Sequence, residues 1–192
     1  MTDTTQEPIS RPRGGRTVSK SSVEEVMELS RNLPLTRKVL AGSIEHATPG
    51  QLGLLADLFR AENASRERSK RLRLLKQANF PQAKELDGYD WSTANFPDDW
   101  GRSDLLTLDF IERAEDMVLY GDVGCGKTHL AIAIGRQACR QAVPVGFFTA
   151  SGLIMRLRKA KQTDRLDKEL AAIGRNRLLI IDELGYLPID ID

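Results

Sequence analysis

The chain has 192 residues, 41% of them hydrophobic, and a formal net charge of +1 at pH 7. This length allows one or two domains with a buried core, and the balanced charge does not indicate a class of partner. No apolar run reaches the roughly 18 residues of a membrane span, and the polar N-terminus lacks the apolar stretch of a secretory signal. We therefore expect a cytoplasmic protein with no membrane association. Its two cysteines, Cys125 and Cys139, form neither a metal-binding spacing nor a disulfide framework.

The N-terminal part of the chain is first polar and then helical. Residues 1–20 are basic and poor in apolar side chains, so we expect a disordered tail that either contacts a polyanion or keeps the chain in solution. The residues from Ser22 to Glu25 have the pattern of a capping box and predict a helix that ends at Leu33–Pro34. A second helix is predicted from Leu35 to His46.

The longest predicted helix begins at Thr48–Pro49, where Thr48 is a suitable N-cap and Gln51 completes a capping box. Its first half carries an apolar stripe, and its second half is strongly basic. Three of the cations recur at helical spacing and would form a row that matches a phosphate backbone, namely Arg66, Lys70 and Arg73. Charge alone does not separate this interpretation from a solvated helix face, and no aromatic residue interleaves for base stacking.

Turn-forming residues predict a boundary after this helix. Phe80–Pro81 would end the helix, and residues 87–90 have turn chemistry. We therefore predict a disordered tail at 1–20, a helical domain at 21–90 and a second domain at 91–192. An apolar helix over Leu105–Ile111 would lead into the centre of the second domain.

Residues 121–128 fit the phosphate-loop pattern G-x-x-x-x-G-K-[S/T] at every fixed position. In this pattern successive backbone N–H groups curl around phosphate oxygens, and the helix that follows adds its positive N-terminal end. Lys127 would reach the β- and γ-phosphates, and Thr128 would ligate magnesium. The alternative, a chance occurrence of the motif, is disfavoured by the strand and helix predicted on either side. The residues predicted to bind a nucleoside triphosphate with Mg²⁺ are Gly121, Asp122, Val123, Gly124, Cys125, Gly126, Lys127, Thr128 and His129.

The segments around the loop predict alternating strands and helices. Strands are predicted at Met117–Tyr120, Val143–Thr149 and Leu178–Ile181. Helices are predicted at His129–Arg140, Ser151–Lys161 and Asp164–Ile173, the last with Leu166, Leu170 and Ile173 inward. Strands separated by helices pair in parallel through right-handed crossovers. The predicted fold class is therefore α/β, a P-loop NTPase with a parallel sheet and flanking helices, preceded by a small all-helical domain.

Two acids directly follow the last predicted strand. The run Leu178–Ile181 is apolar throughout, which is typical of a buried parallel strand, and it ends in Asp182 and Glu183. The carboxyl ends of such strands deliver side chains to a phosphate site. Asp182 would then hold the magnesium shell, and Glu183 would orient and deprotonate the attacking water. The alternative is a strand that ends in two solvated acids.

Three blocks of this sequence resemble the ATP-binding subunit of IstB-type insertion elements, a family related to helicase loaders of DnaC type. The blocks are GDVGCGKTHLAIAIGRQAC, VGFFTASGLI and LLIIDELGYLP. The resemblance extends over about residues 35–190 and is most specific at Lys127–Ala131 and Asp182–Tyr186.

This resemblance implies an AAA+ ATPase that binds ATP and Mg²⁺ and assembles as a homo-oligomer on double-stranded DNA. It would help a cognate transposase to engage its target. Lys127 and Glu183 would be catalytic, and Thr128 and Asp182 would hold the metal. The DNA backbone would be contacted, without sequence reading, by Arg66, Lys70 and Arg73.

The chain departs from the family because it stops at Asp192. The resemblance implies further strands, a polar sensor residue and an arginine finger, and none has a candidate in this sequence. In the family sheet a fourth strand lies between the phosphate-loop strand and the strand that ends at Asp182. We therefore expect an AAA+ sheet that is incomplete at the C-terminus. The two halves of the site, which are the phosphate loop and the acids at 182–183, would then not lie side by side, and catalysis would be impaired. Apolar residues of Met117–Tyr120 and Leu178–Ile181 would then be exposed.

Three other functions remain open. A small-molecule kinase would account for the phosphate loop, but not for the basic helix ahead of it or for the two acids at 182–183. A helicase loader would differ only in its partner, which would be a replication helicase instead of a transposase. A truncated remnant that binds DNA without catalysis would account for the early stop.

Overall fold

The computed structural model describes residues 22–98 and 100–186, so the disordered tail predicted at 1–20 lies outside the described residues. The chain divides into two compact units, Met1–Ser65 and Arg66–Asp192. This division falls before the domain boundary predicted at residue 90, because side chains between residues 78 and 89 pack into the core of the second unit. Among the described residues, no helix is both long enough and apolar enough to cross a membrane.

Helix α1 begins where the capping pattern predicts. It spans Val23–Leu29, and the Ser22 hydroxyl accepts a hydrogen bond from the Glu25 backbone N–H at 3.1 Å. The helix ends before the predicted Leu33–Pro34. The reason is local, since the Ser30 hydroxyl donates to a backbone carbonyl one turn earlier at 2.8 Å, and such a bond competes with the helical ladder.

Helices α2 and α3 follow in the first unit. Helix α2 spans Arg37–Ile44, and α3 spans Pro49–Gln77 and continues into the second unit. The predicted capping box is formed, because the Gln51 side chain accepts from the Thr48 backbone N–H at 2.8 Å and the Gln51 N–H donates to the Thr48 hydroxyl at 3.4 Å. The buried core of this unit consists of Val26, Leu33, Ile44, Leu52, Ala56 and Phe59.

The helix predicted over Leu105–Ile111 is wrong as a single element. The structure has α4 at Arg102–Thr107 and α5 at Asp109–Glu112, separated by Leu108 in the left-handed region at φ 65. In one straight helix Phe110 would point away from the face shared by its apolar neighbours. The break instead buries four apolar side chains, which are Leu105, Leu108, Phe110 and Ile111.

The described sheet has two parallel strands, β1 at Val145–Thr149 and β2 at Leu178–Asp182. The register aligns their last residues, Thr149 and Asp182. This pairing confirms the predicted parallel arrangement with helices between the strands. The core beside the sheet is formed by Ala78, Leu105, Leu108, Phe110, Ile111, Leu130, Ile134, Ala138, Cys139 and Val145.

Three helices directly precede or connect these two strands along the chain. Helix α6 spans Lys127–Arg140 and packs on both strands. Helices α7 at Ala150–Gln162 and α8 at Leu166–Ile173 form the crossover from β1 to β2. The predicted inward position of Leu170 is wrong, because its side chain is 49% exposed on a short surface helix that packs against α7.

The strand predicted at Met117–Tyr120 is not formed. Met117 and Leu119 pack against the core of the second unit, whereas Val118 and Tyr120 are 79% and 89% exposed. This alternation resembles a strand, but a strand also needs a hydrogen-bonded neighbour. In the described part of the chain, β1 and β2 pair with each other and leave this segment without one.

Strand β2 is less buried than the apolar run predicts. Leu178 and Ile180 pack against the core, but Leu179 and Ile181 are each 40% exposed. The prediction of a buried strand is therefore wrong on one face. The prediction that apolar residues of this run and of Met117–Tyr120 would be exposed is confirmed.

Candidate functional site

The loop that precedes α6 encloses a cleft. The backbone at Gly124 and Gly126 lies in the left-handed region, at φ 84 and 91, which residues with a Cβ rarely adopt. Gly126 is the N-cap of α6, so the helix begins where the loop ends. The cleft has a volume of about 210 Å³ and is lined by Gly124, Gly126, Lys127, Thr128 and His129. The structure thus brings these five of the predicted residues together.

The remaining residues of the predicted phosphate loop have other positions. The backbone carbonyls of Gly121 and Asp122 accept hydrogen bonds from Lys127 Nζ at 2.8 and 2.7 Å. Val123 is 88% exposed. Cys125 is also exposed, with its Sγ 3.6 Å from Lys127 Nζ. The ammonium group therefore lies within the curve of the loop, where its charge can attract an anion in the cleft.

The Thr128 hydroxyl joins the two halves of the site. Its Oγ1 donates to the Asp182 carboxylate and lies 3.0 Å from each of the two oxygens. Thr128 belongs to the first turn of α6, Asp182 is the last residue of β2, and α6 packs on β2 directly. The expectation that the two halves would not lie side by side is therefore wrong. Among the described residues, the packing of α6 on β2 sets their separation.

The oxygen atoms of Thr128 and Asp182 suit a hard divalent cation. Mg²⁺ commonly takes one or two protein ligands and completes its shell with phosphate oxygens and water. Nowhere in the described residues are three His, Cys, Asp or Glu side chains grouped to hold a metal by themselves. The donor set therefore fits a magnesium ion that arrives with a phosphate ligand.

Glu183 is adjacent to this pair in sequence but not in contact with the cleft. It directly follows β2, is exposed and has a left-handed backbone at φ 60, which costs a residue with a Cβ about 1–2 kcal/mol. Its side chain forms no hydrogen bond or ion pair with another described residue. The structure therefore does not bring Glu183 into hydrogen-bonding contact with Lys127 or Thr128.

The basic row lies on the C-terminal half of α3. Arg66, Lys70 and Arg73 are all exposed, and at 100° per residue they fall within an arc of about 60°. Arg68 and Arg71 are exposed on a different face of the same helix. The helical spacing thus forms the row of cations, and its contact with DNA stays a prediction.

Glu85 was not identified from the sequence, although it contacts three residues of α6. Its carboxylate accepts hydrogen bonds from Arg136 Nε at 3.0 Å and Nη2 at 2.6 Å, and it also pairs with Arg140. Its backbone carbonyl lies 3.0 Å from His129 Nε2. Burial acts to raise the pKa of Glu85, but hydrogen bonds from Arg140 and Arg136 outweigh it and hold the pKa below its usual value. The i, i+4 spacing of the two arginines was the available signal, and it does not identify a distant acid.

The chain matches the family described as IstB-like ATP binding protein over residues 37–192. This match confirms the resemblance found in the phosphate-loop and Asp182 blocks. The family is one of ATP-binding domains of P-loop type, and the parallel strands with flanking helices agree with its α/β class.

Several similar proteins have names that refer to insertion sequences. The chain is 35% identical over 162 residues to a Geobacillus stearothermophilus protein named as an ATP-binding protein of insertion sequence IS5376, covering 83% of this chain and 64% of that protein. A Pseudomonas aeruginosa protein named for insertion sequence IS21 is 42% identical over 116 residues, covering 60% and 44%. A Bacillus thuringiensis subsp. berliner protein named for insertion sequence IS232 is 32% identical over 154 residues, covering 79% and 62%.

The chain therefore spans less than two thirds of the length of each of these three relatives. The family match nevertheless covers most of this chain and includes the phosphate loop, α6 and β2. On that evidence, the chain belongs to the family of IstB-like ATP-binding proteins.

Proposed function

We propose that this protein is an AAA+ helper ATPase that binds ATP with Mg²⁺, associates with double-stranded DNA and assists a transposase. The observation that carries the proposal is the contact of the Thr128 hydroxyl with both carboxylate oxygens of Asp182, at 3.0 Å each. In a P-loop NTPase these two residues would hold a magnesium ion, which would supply positive charge to the bound phosphates. The family match supports the same class of function.

Each part of the site has a proposed role in nucleotide binding. The backbone N–H groups of the loop and the first turn of α6 hold phosphate oxygens, and Lys127 adds a positive charge beside them. Thr128 and Asp182 hold the magnesium ion, which neutralises phosphate charge when bound. Glu183 follows Asp182 directly and would have to turn toward the cleft to orient the attacking water and accept its proton.

The proposed DNA contact is the basic row of α3. Its cations lie on one exposed face, and no aromatic residue interleaves to stack on bases, so binding would be independent of sequence. A cognate transposase and other copies of this chain are the proposed protein partners. Support for the transposase comes from the relatives, which are named as ATP-binding proteins of insertion sequences.

Nucleotide binding is tested by titrating a fluorescent ATP analogue into the wild-type chain and two variants. Lys127→Ala should weaken binding at least about ten-fold, because it removes a charged hydrogen-bond donor from the phosphates. Asp182→Asn should retain the affinity measured without Mg²⁺ and lose most of the increase that Mg²⁺ produces. Affinity is measured with Mg²⁺ and with a chelator.

Matched controls for these two variants lie on α8. Lys168→Ala and Asp167→Asn make the same chemical changes at exposed positions outside the cleft and should leave affinity unchanged. A wild-type chain without affinity for the nucleotide would reject the proposed function. Normal binding by Lys127→Ala would reject the assignment of the phosphate site.

DNA binding is tested by comparing two double variants of α3. Lys70→Ala with Arg73→Ala should reduce the slope of log affinity against log salt concentration by about two, because about one counterion is released per phosphate contact. The readout is the anisotropy of a labelled duplex over a range of salt concentrations.

The control double variant, Arg68→Ala with Arg71→Ala, removes the same charge from a different face of α3. It should change the salt slope by less than half as much. Equal changes in the two double variants would show that binding depends on total charge instead of on the row.

A further inference from the structure

Tyr89 contacts the phosphate loop at its last glycine. A Cβ added at Gly126 would lie 3.2 Å from Tyr89 Cε2 and 3.3 Å from its hydroxyl oxygen, so the ring lies directly against the Gly126 backbone. The ring also packs edge-on against His129, with centroids 5.3 Å apart. Gly126 and His129 both line the cleft. One side chain therefore contacts two residues of the phosphate site.

Tyr89 belongs to a segment that is fastened to α6. Four residues before Tyr89, the Glu85 carboxylate binds Arg136 and Arg140 in the second half of α6. The Glu85 carbonyl also contacts the His129 ring in the first turn of the helix. We call residues 85–89 the brace, because they contact α6 both at its first turn and further along its length.

The contact with Gly126 restricts the most adaptable residue of the loop. Gly126 has φ 91, and a free glycine samples positive and negative φ about equally. A loop that spends only part of its time in the binding conformation binds more weakly in proportion to that fraction. An aromatic ring packed against Gly126 removes alternative conformations before the ligand arrives.

The Tyr89 hydroxyl is compatible with a neighbouring polyanion. Burial, followed by the proximity of Cys125 and Asp90, raises the pKa of Tyr89 above its usual value. The phenol therefore stays neutral under physiological conditions and brings no negative charge toward bound phosphates.

We infer that Tyr89 is a positioning residue that holds the phosphate loop in its binding conformation through its contact with Gly126. This inference rests on the proposed binding of ATP by the loop. Because the contact is with the loop backbone, the effect concerns phosphate binding and does not depend on the base. Inorganic tripolyphosphate should therefore respond to changes at Tyr89 as ATP does.

The test compares the wild-type chain with Tyr89→Phe and Tyr89→Ala. Tyr89→Phe keeps the ring and should bind ATP and tripolyphosphate within about two-fold of wild type, whereas Tyr89→Ala should bind both about ten-fold more weakly. Such a loss corresponds to a binding conformation populated about one tenth of the time. Amide hydrogen exchange across residues 121–128 should also accelerate in the ligand-free alanine variant.

Trp91→Leu is the matched control. The Trp91 ring packs against the Tyr89 ring, with centroids 4.9 Å apart, but the three atoms nearest to a Cβ added at Gly126 all belong to Tyr89. It should lower thermal stability and leave both affinities unchanged. If Tyr89→Ala does not fold, Tyr89→Leu, which keeps an apolar side chain but no ring, replaces it and should still lose at least about three-fold.

Three results would overturn the inference while leaving the proposed function intact. They are unchanged affinity in Tyr89→Ala, weaker binding of ATP but not of tripolyphosphate, and an equal loss in Trp91→Leu. A wild-type chain that binds neither ligand would instead reject the proposed function, and the inference with it.

Discussion

Two apolar segments lead to the two halves of the site, and only one of them is paired with a neighbouring strand in the described structure. Strand β2 pairs with β1 along its length and ends at Asp182. The segment Met117–Tyr120 leads into the phosphate loop, and no described strand lies beside it. Both segments are short and apolar, so composition does not distinguish them, whereas a hydrogen-bonded neighbour does. At its other end the loop leads directly into α6, and Tyr89 of the brace contacts Gly126 there.

The largest expected effect on the free energy of unfolding is found by making the same substitution, Val→Ala, in each of the two segments' regions and comparing the losses. Val145→Ala removes a side chain of β1 that is 2% exposed and should lower the free energy of unfolding by about 2 kcal/mol. Val118→Ala changes a side chain that is 79% exposed and should stay within about 0.5 kcal/mol of wild type. Urea denaturation measures both values.

Equal losses at Val145 and Val118 would contradict this difference, because the unpaired segment would then be as firmly packed as the sheet. Unequal losses of the expected size would support it. They would place the stability of the second unit in the paired strands and the helices around them.

A smaller effect is expected where the brace holds α6. Glu85→Gln should destabilise the chain by about 1 kcal/mol at neutral pH, a modest value because the carboxylate is 36% exposed. The folded-state pKa of Glu85 lies below its usual value, so its contribution is present above the unfolded pKa and is lost as pH falls through the folded pKa. Urea denaturation at neutral and acidic pH should therefore show a shallower acid decline in the variant.

Glu112→Gln is the control for this prediction. Glu112 pairs with Arg177 at 3.2 Å, but its side chain is 71% exposed, so the change should have little effect at any pH. If the two variants have the same acid decline, Glu85 does not fasten the brace, and the loop must be held in another way.

Features determined by a few consecutive residues were predictable from the sequence. The caps at Ser22 and Thr48 depend on side chains three residues apart, and both start helices where expected. The phosphate-loop motif likewise predicted the glycines of the loop and the helix that follows, although α6 begins at Lys127, two residues before the predicted His129. The parallel pairing of β1 and β2 followed from the helices between them.

Features that depend on distant partners were not predictable in this way. Leu108 adopts a left-handed backbone because the core requires side chains from both of its flanking helices. Glu85 is defined by arginines on a helix far along the chain. The proximity of Thr128 to Asp182 depends on α6 packing across the sheet, which strand order alone does not reveal.

The different burial of the two cysteines has a practical consequence for fluorescence work. Burial raises the pKa of Cys139 to about 11, so its thiol stays protonated and unreactive near neutral pH. Cys125 is exposed in the phosphate loop. A maleimide dye should therefore attach to the unmodified chain at Cys125 alone, and bound ATP should slow the attachment. The natural sequence thus carries its own labelling position beside Lys127, and no cysteine has to be added or removed.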